Sequence, residues 1–365
     1  MLEKVLKFKK PIVQFIPDVA ARLGILEGWD NKFSLVHSFL NVFAPEIPLS
    51  NGKKTIDVKI YYSVPGITEK RIPKVMIRDI VEFLEESIEK DYYIMINVDS
   101  CKIAAYNRDN SQSCFPHPLF VFGMNQEKKY FLCADFFDGH NYGYALVTYE
   151  EMEKAHNSIF ESSEYVNLES GGVEWITDVV LLRYHATYKE DINMNRIVIG
   201  LRQFLNSENI FGYSKCTYYR PHLMAPDRGT DSKYLYELEG NKEYYGLAVF
   251  KEILNSYRDI EKGIDNREIY NKVPYIMYAY HELMLQRMTY IFVNYLSTNK
   301  ELEDLLKKYN ILSRESKEMV YMCVKYEVVK KSKIVPKIIE KIELIIERTI
   351  VYIQEFMDIL ESSGK

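Results

Sequence analysis

His117 to Met124 (His-Pro-Leu-Phe-Val-Phe-Gly-Met) and Tyr130 to Asp135 (Tyr-Phe-Leu-Cys-Ala-Asp) are two short runs rich in β-forming residues, separated by the polar segment Asn125 to Lys129. That arrangement predicts a β-hairpin. A turn centred on Gln126 sets residues whose numbers add to 252 opposite each other, so His117 faces Asp135 with Cβ atoms roughly 5 Å apart. The inference depends on parity: a slip of two residues keeps the two side chains on one face, and a slip of one separates them. Leu119, Val121, Phe131 and Cys133 fall on one face and Phe120, Phe122, Tyr130 and Leu132 on the other. Strands apolar on both faces are interior strands. A carboxylate beside an imidazole at the rim of such a sheet fixes its tautomer, as a general base requires. The competing reading is a His and an Asp that merely end two strands in solvent.

At 365 residues, 47% hydrophobic and 14% aromatic, the chain has enough apolar surface for one large core or two moderate ones, and two domains are expected. A net charge of −5 with mixed signs leaves no basic excess for phosphates, which argues against a nucleic-acid partner. Gln14, Pro17 and Asp18 break the apolar run after the basic N-terminus too early for a signal peptide, and no stretch has the roughly 18 apolar residues of a membrane span. The five cysteines (101, 114, 133, 216 and 323) are widely spaced without a Cys-x-x-Cys. Neither a disulfide framework nor a zinc site is expected, no cofactor is implied, and a reduced cytoplasmic setting fits.

Along the chain, Val19 to Leu26 suits a short helix, and Phe33 to Phe43 repeats apolar residues at helical spacing up to Pro45. Thr55 to Val64 alternates as a strand, and a helix is predicted from Pro73 through Ile88. Tyr92 to Val98 is a buried strand and Asp99 to Pro116 a polar loop before the hairpin. A turn at Asp138 to Asn141, a strand at Tyr144 to Thr148, a helix opened by the capping box Thr148-Tyr149-Glu150-Glu151 and a strand at Val173 to Arg183 follow. This is an α+β pattern to about residue 187. Residues 188–365 are predicted mainly helical, over Ile192 to Leu205, Tyr244 to Tyr257, Pro274 to Leu296, Ser313 to Lys331 and Pro336 to Leu360. The stripe Ile339, Ile342, Ile345/Ile346, Ile350, Ile353, Met357 and Leu360 on the last helix packs in cis or, in a homodimer, against a second copy.

The strand Tyr-Tyr-Ile-Met-Ile-Asn-Val-Asp (92–99), the segments His-Pro-Leu-Phe-Val-Phe-Gly-Met-Asn (117–125) and Phe-Leu-Cys-Ala-Asp-Phe-Phe (131–137), and Leu-Val-Thr-Tyr-Glu-Glu-Met-Glu-Lys-Ala (146–155) resemble the second half of a papain-like, leader-peptidase-like domain of the butirosin biosynthesis protein H type. Tyr245-Gly246-Leu247-Ala248, Asp265-Asn266-Arg267 and the run Tyr278 to Arg287 resemble the helical C-terminal domain of the same proteins. The resemblance implies a papain-like domain over 1–187 and a helical domain over 188–365. It implies acyl transfer from an acyl or peptidyl carrier protein thioester to a small amine in specialised-metabolite biosynthesis. The family uses a Cys–His–Asp set, and His117 and Asp135 fall on its His and Asp positions. Its cysteine has no counterpart: Ser34 lies near that position, and no cysteine precedes Cys101.

Serine has a far higher pKa than cysteine, so a Ser34–His117–Asp135 set needs strong base assistance and an oxyanion hole, for which Asn31 is the nearest amide. Three readings follow: direct attack by an amine with His117 as base, Ser34 as nucleophile, or an inactive scaffold. Hydrolysis by a peptidase or amidase of the same fold is the rival reaction. Ser34 also suits a helix N-cap, Cys133 a buried strand and His37 a helix surface. Cys114 lies in a loop near His117, and His140 in a Gly-containing turn past Asp135. His281 and Glu282, with Arg287, read as a structural ion pair rather than a metal site. The Tyr-rich loop from Tyr213 to Tyr236 is long enough to cover a cleft.

Overall fold

The computed structural model describes residues 3–14, 16–30, 36–38, 40–48, 52–56, 58–61, 64, 66–107, 116–137, 142–161, 178–186, 192–209, 242–264, 269 and 272–363. In chain order the elements are β1 (Glu3–Val5), α1 (Pro17–Gly28), β2 (Asn41–Pro48), β3 (Lys54–Ile56), β4 (Lys59–Tyr61), β5 (Ile67–Pro73), α2 (Ile80–Glu89), β6 (Tyr93–Asp99), β7 (Pro116–Asn125), β8 (Tyr130–Asp135) and β9 (Gly143–Thr148). They continue with α3 (Tyr149–Glu161), β10 (Asp178–Tyr184), α4 (Met194–Leu205), β11 (Glu243–Tyr245), α5 (Leu247–Glu261), α6 (Lys272–Tyr295), α7 (Lys300–Val329) and α8 (Val335–Ser363). Among the described residues, one compact unit is drawn from 1–31 and 66–189, and a second from 32–65, 190–212 and 240–365. Residues 32–65 group with the second unit rather than with the segments that flank them in sequence.

The first unit is built on an antiparallel sheet in the order β5-β10-β6-β7-β8-β9, with β1 added to β7. Its composition explains the order: every residue of β6 is buried, as a nearly all-apolar interior strand must be. Helices α2 and α3 cover one face, where Leu84, Ile88, Met152 and Ala155 cluster with Ile94, Ile96, Leu119, Val121, Phe131 and Cys133. Helix α1 covers the other, setting Ala20, Ala21 and Ile25 among Met95, Phe120, Phe122 and Leu182. Each large side chain buried this way contributes about 1.5–3 kcal/mol. The division of Leu119, Val121, Phe131 and Cys133 from Phe120 and Phe122 is the one the alternation predicts.

Helix α2 begins later than Pro73 suggests. Pro73 instead ends β5, which pairs with β10, and Asp79 caps the helix by accepting the Glu82 N–H at 3.0 Å. Between them, Val75 and Met76 are exposed and Lys74 is buried, its ammonium donating to Asn97 O. Burial pushes Lys74 down to about 7, with Asp178 pulling weakly the other way.

In the second unit, β2 pairs with β3, β4 and β11. The helix predicted to run through Phe43 is therefore corrected: Asn41–Pro48 is a strand. Apolar residues at 40, 42 and 44 satisfy a two-residue period as well as a helical one, and Leu40, Val42 and Ala44 are buried. Partners on both sides supply the ladder. The strand expected over Thr55 to Val64 is broken into β3 and β4, and the helix expected from Tyr244 is preceded by β11. Gly246 makes that last junction at φ +51°, where a Cβ would meet Phe204 O at 2.2 Å, so only glycine fits. Long helices make up the rest. Ile339, Ile342, Ile345, Ile346, Ile353, Met357 and Leu360 of α8 are buried, whereas Ile350 is exposed.

Cys101 is disulfide-bonded, whereas the cysteine spacing indicated no disulfide framework. Spacing alone gave no hint of it, because pairing depends on which loops meet in space. Cys133 and Cys323 are free and buried. No helix among the described residues is long and apolar enough to cross a membrane.

Candidate active site

Strand β7 brings His117 to the end of the sheet, opposite Val98 of β6, and β8 ends there with Asp135. The hairpin register differs from the predicted one in an instructive way. Near the turn, Asn125 faces Tyr130 and Met124 faces Phe131, pairs whose numbers add to 255, a register that would put His117 and Asp135 on opposite faces. A β-bulge between Val121 and Gly123 absorbs one extra residue, Phe122, in β7, so Val121 faces Cys133 and Phe120 faces Ala134, pairs adding to 254. That is a slip of two from the prediction. Parity is restored, and the His117 and Asp135 side chains share a face diagonally.

His117 Nδ1 lies 2.7 Å from Asp135 Oδ2. The same nitrogen lies 3.2 Å from Pro118 O. Carboxylate and carbonyl oxygens only accept, so Nδ1 carries a proton and Nε2 is the ring nitrogen at which a proton could be exchanged. The Asp135 side chain is fully buried, whereas that of His117 is 19% exposed. The carboxylate is thus shielded from water and the imidazole reaches the surface.

Sequence reasoning missed Tyr106. It closes a single 3-10 turn, Ala104–Tyr106, in the segment read as a plain polar loop. Its hydroxyl donates to Asp135 Oδ2 and lies 3.5 Å from His117 Nδ1. Its ring stands edge-on to His117 at 5.6 Å and packs on Phe137 at 5.0 Å. The other carboxylate oxygen, Asp135 Oδ1, is buried with no hydrogen-bond partner among the described residues. The only available signal was a tyrosine closing the short apolar run Ile103-Ala104-Ala105 upstream of the histidine.

Ser34 lies outside the described residues, as do Asn31, Cys114, His140 and the loop from Tyr213 to Tyr236. Cys133 is a core residue: burial first, then the nearby charge of Asp135, pushes its thiol well up. His37 is not on a helix surface but buried, with Nε2 accepting the Asn193 N–H at 3.0 Å. The expected ion pair around His281 is also corrected. His281 Nδ1 lies 3.0 Å from Tyr309 Oη and Nε2 lies 3.3 Å from Thr349 Oγ1, while Glu282 accepts from Ser313 Oγ at 2.9 Å. Arg287, fully buried, donates to the carbonyls of Val36 and Ser38 at 2.8 and 2.6 Å. Neutral hydroxyls and carbonyls replace the expected opposite charges because those side chains point to different faces of α6. Burial pushes His281 down to about 3 and Arg287 down to about 10, the latter against a smaller opposing effect of Tyr280 and Tyr309.

No group of three or more His, Cys, Asp or Glu among the described residues is arranged to hold a metal ion. No protein-family model matches the chain, and no curated protein matches its sequence.

Proposed function

We propose that the protein forms amides by acyl transfer from a carrier-protein thioester to a small amine, with His117 as general base and Asp135 orienting it. The observation that supports this reading is the 2.7 Å approach of a partly exposed imidazole to a fully buried carboxylate. His117 Nε2 takes a proton from the amine as its nitrogen attacks the thioester carbonyl carbon. The carbon–sulfur bond then breaks, and the carrier thiolate leaves with the proton returned by the imidazolium. On the same reading the first unit is a papain-like domain, supported by an antiparallel sheet that carries the His and the Asp on adjacent strands. A carrier-bound donor also goes with a cytoplasmic setting, where the disulfide at Cys101 would face reducing conditions.

The test is to load a carrier protein with an acyl group, add candidate amines and identify the product. An amide supports the transferase. Free acid in place of amide makes the protein a hydrolase, and an unchanged thioester makes it a scaffold. Ser34→Ala separates direct transfer, which keeps full activity, from an acyl-serine route, which loses it.

A further inference from the structure

We infer that Tyr106 is a positioning residue for the His117–Asp135 pair, and that the capping box of helix α3 holds it there through Glu151. The inference rests on His117 as the base and adds how that base is tuned. Tyr106 and His117 both address Asp135 Oδ2, while Oδ1 has no partner among the described residues. Besides the imidazole, Tyr106 is therefore the donor that shares the charge of the buried carboxylate, and a buried carboxylate short of donors is costly.

Tyr106 has to be delivered by its backbone, and the delivery can be traced. Glu151 Oε2 accepts from Thr148 N at 2.8 Å and from Thr148 Oγ1 at 2.7 Å, while Thr148 Oγ1 accepts from Glu151 N at 3.2 Å. That is the reciprocal cap the sequence predicts. The second oxygen, Oε1, reaches outside the helix and accepts from Ala104 N at 3.0 Å, the first residue of the turn that ends in Tyr106. From its other side the segment is tied by Asp99, whose carboxylate accepts from Cys101 N at 2.9 Å and Ser158 Oγ at 3.0 Å. Burial alone would raise Glu151, but the Ala104 and Thr148 donors hold it below the usual carboxylate value, so it stays an acceptor at neutral pH. The cap of one helix thereby fixes a hydroxyl on the acid of the candidate site.

Tyr106→Phe keeps the ring packing and removes the donor. More charge then remains on Asp135 Oδ2 facing the imidazolium, and His117 holds its proton to higher pH. The titration of His117, followed by nuclear magnetic resonance of its ring nitrogens, is expected to move up by about one pH unit, the size of one lost charge-assisted hydrogen bond. The acid limb of the pH–rate profile moves with it. Glu151→Ala shifts the midpoint the same way by less, and Glu151→Gln, which keeps an acceptor for Ala104 N, restores it. A His117 midpoint that stays put or falls in folded Tyr106→Phe overturns the inference, as does a Glu151→Ala midpoint equal to wild type. Because the resonance measurement needs no turnover, the expected shifts in a protein that forms no amide would uphold the linkage and sink the functional reading instead.

Discussion

His117 in the first unit and His281 in the second are both set among aromatic rings, yet their surroundings suit opposite tasks. His117 has a carboxylate 2.7 Å away and an edge open to solvent. His281 is sealed in helical packing between Tyr309 and Thr349 hydroxyls, and burial pushes it down to about 3. The first arrangement offers an acceptor and access to solvent, and the second forbids a protonated ring over the physiological range. Burial or an aromatic neighbour therefore says little about whether a histidine does chemistry. A paired carboxylate combined with access does.

The largest expected effect breaks the favoured half of that comparison. Asp135→Asn keeps the shape but removes the negative charge beside the imidazole, so amide formation should fall by about 10²–10⁴-fold in steady-state assays, whereas His281→Gln should leave the rate per folded molecule unchanged. The next reads the other half through stability. His281 has its folded pKa depressed, so the folded form refuses a proton the unfolded chain accepts, and stability falls as pH drops from about 6.5 towards about 3. Thermal unfolding across that window should show a loss on the order of 4 kcal/mol that His281→Gln flattens.

Lys74 offers the mirror window in the first unit. Its folded value of about 7 lies under the ordinary 10.5, so stability rises as pH climbs from about 7 to 10.5. Lys74→Met should raise the unfolding temperature at pH 7 and remove that rise, and a lower temperature would mean that its hydrogen bond to Asn97 O outweighs the burial penalty. The smallest effect belongs to Cys133. Fully buried with its thiol pushed up, it should resist alkylation in the folded protein, and Cys133→Ala should leave the rate within about twofold.

Much of the sheet was legible because β6, β7 and β8 are apolar on both faces, which leaves interior strands as the only arrangement that buries them. The His117–Asp135 pair was legible for the same reason, although the bulge at Phe122 was not. Without it the observed turn would have parted them, and nothing in Val-Phe-Gly announces where the extra residue is absorbed. The helix read through Phe43 failed because apolar residues at 36, 39, 40 and 43 fit 3.6 and their neighbours at 42 and 44 fit 2. The partners that decided for a strand come from β4 and from β11, about two hundred residues further on. Tyr106 was invisible because its role depends on a 3-10 turn fastened by Glu151, a contact between distant residues that no local period encodes.

Single-turnover amide formation from an acyl-loaded carrier protein, compared between the wild-type protein and His117→Ala, tests whether this imidazole does the proposed chemistry. A burst of amide is expected from the first and none above the uncatalysed background from the second. Equal bursts from both would place the chemistry somewhere other than this imidazole.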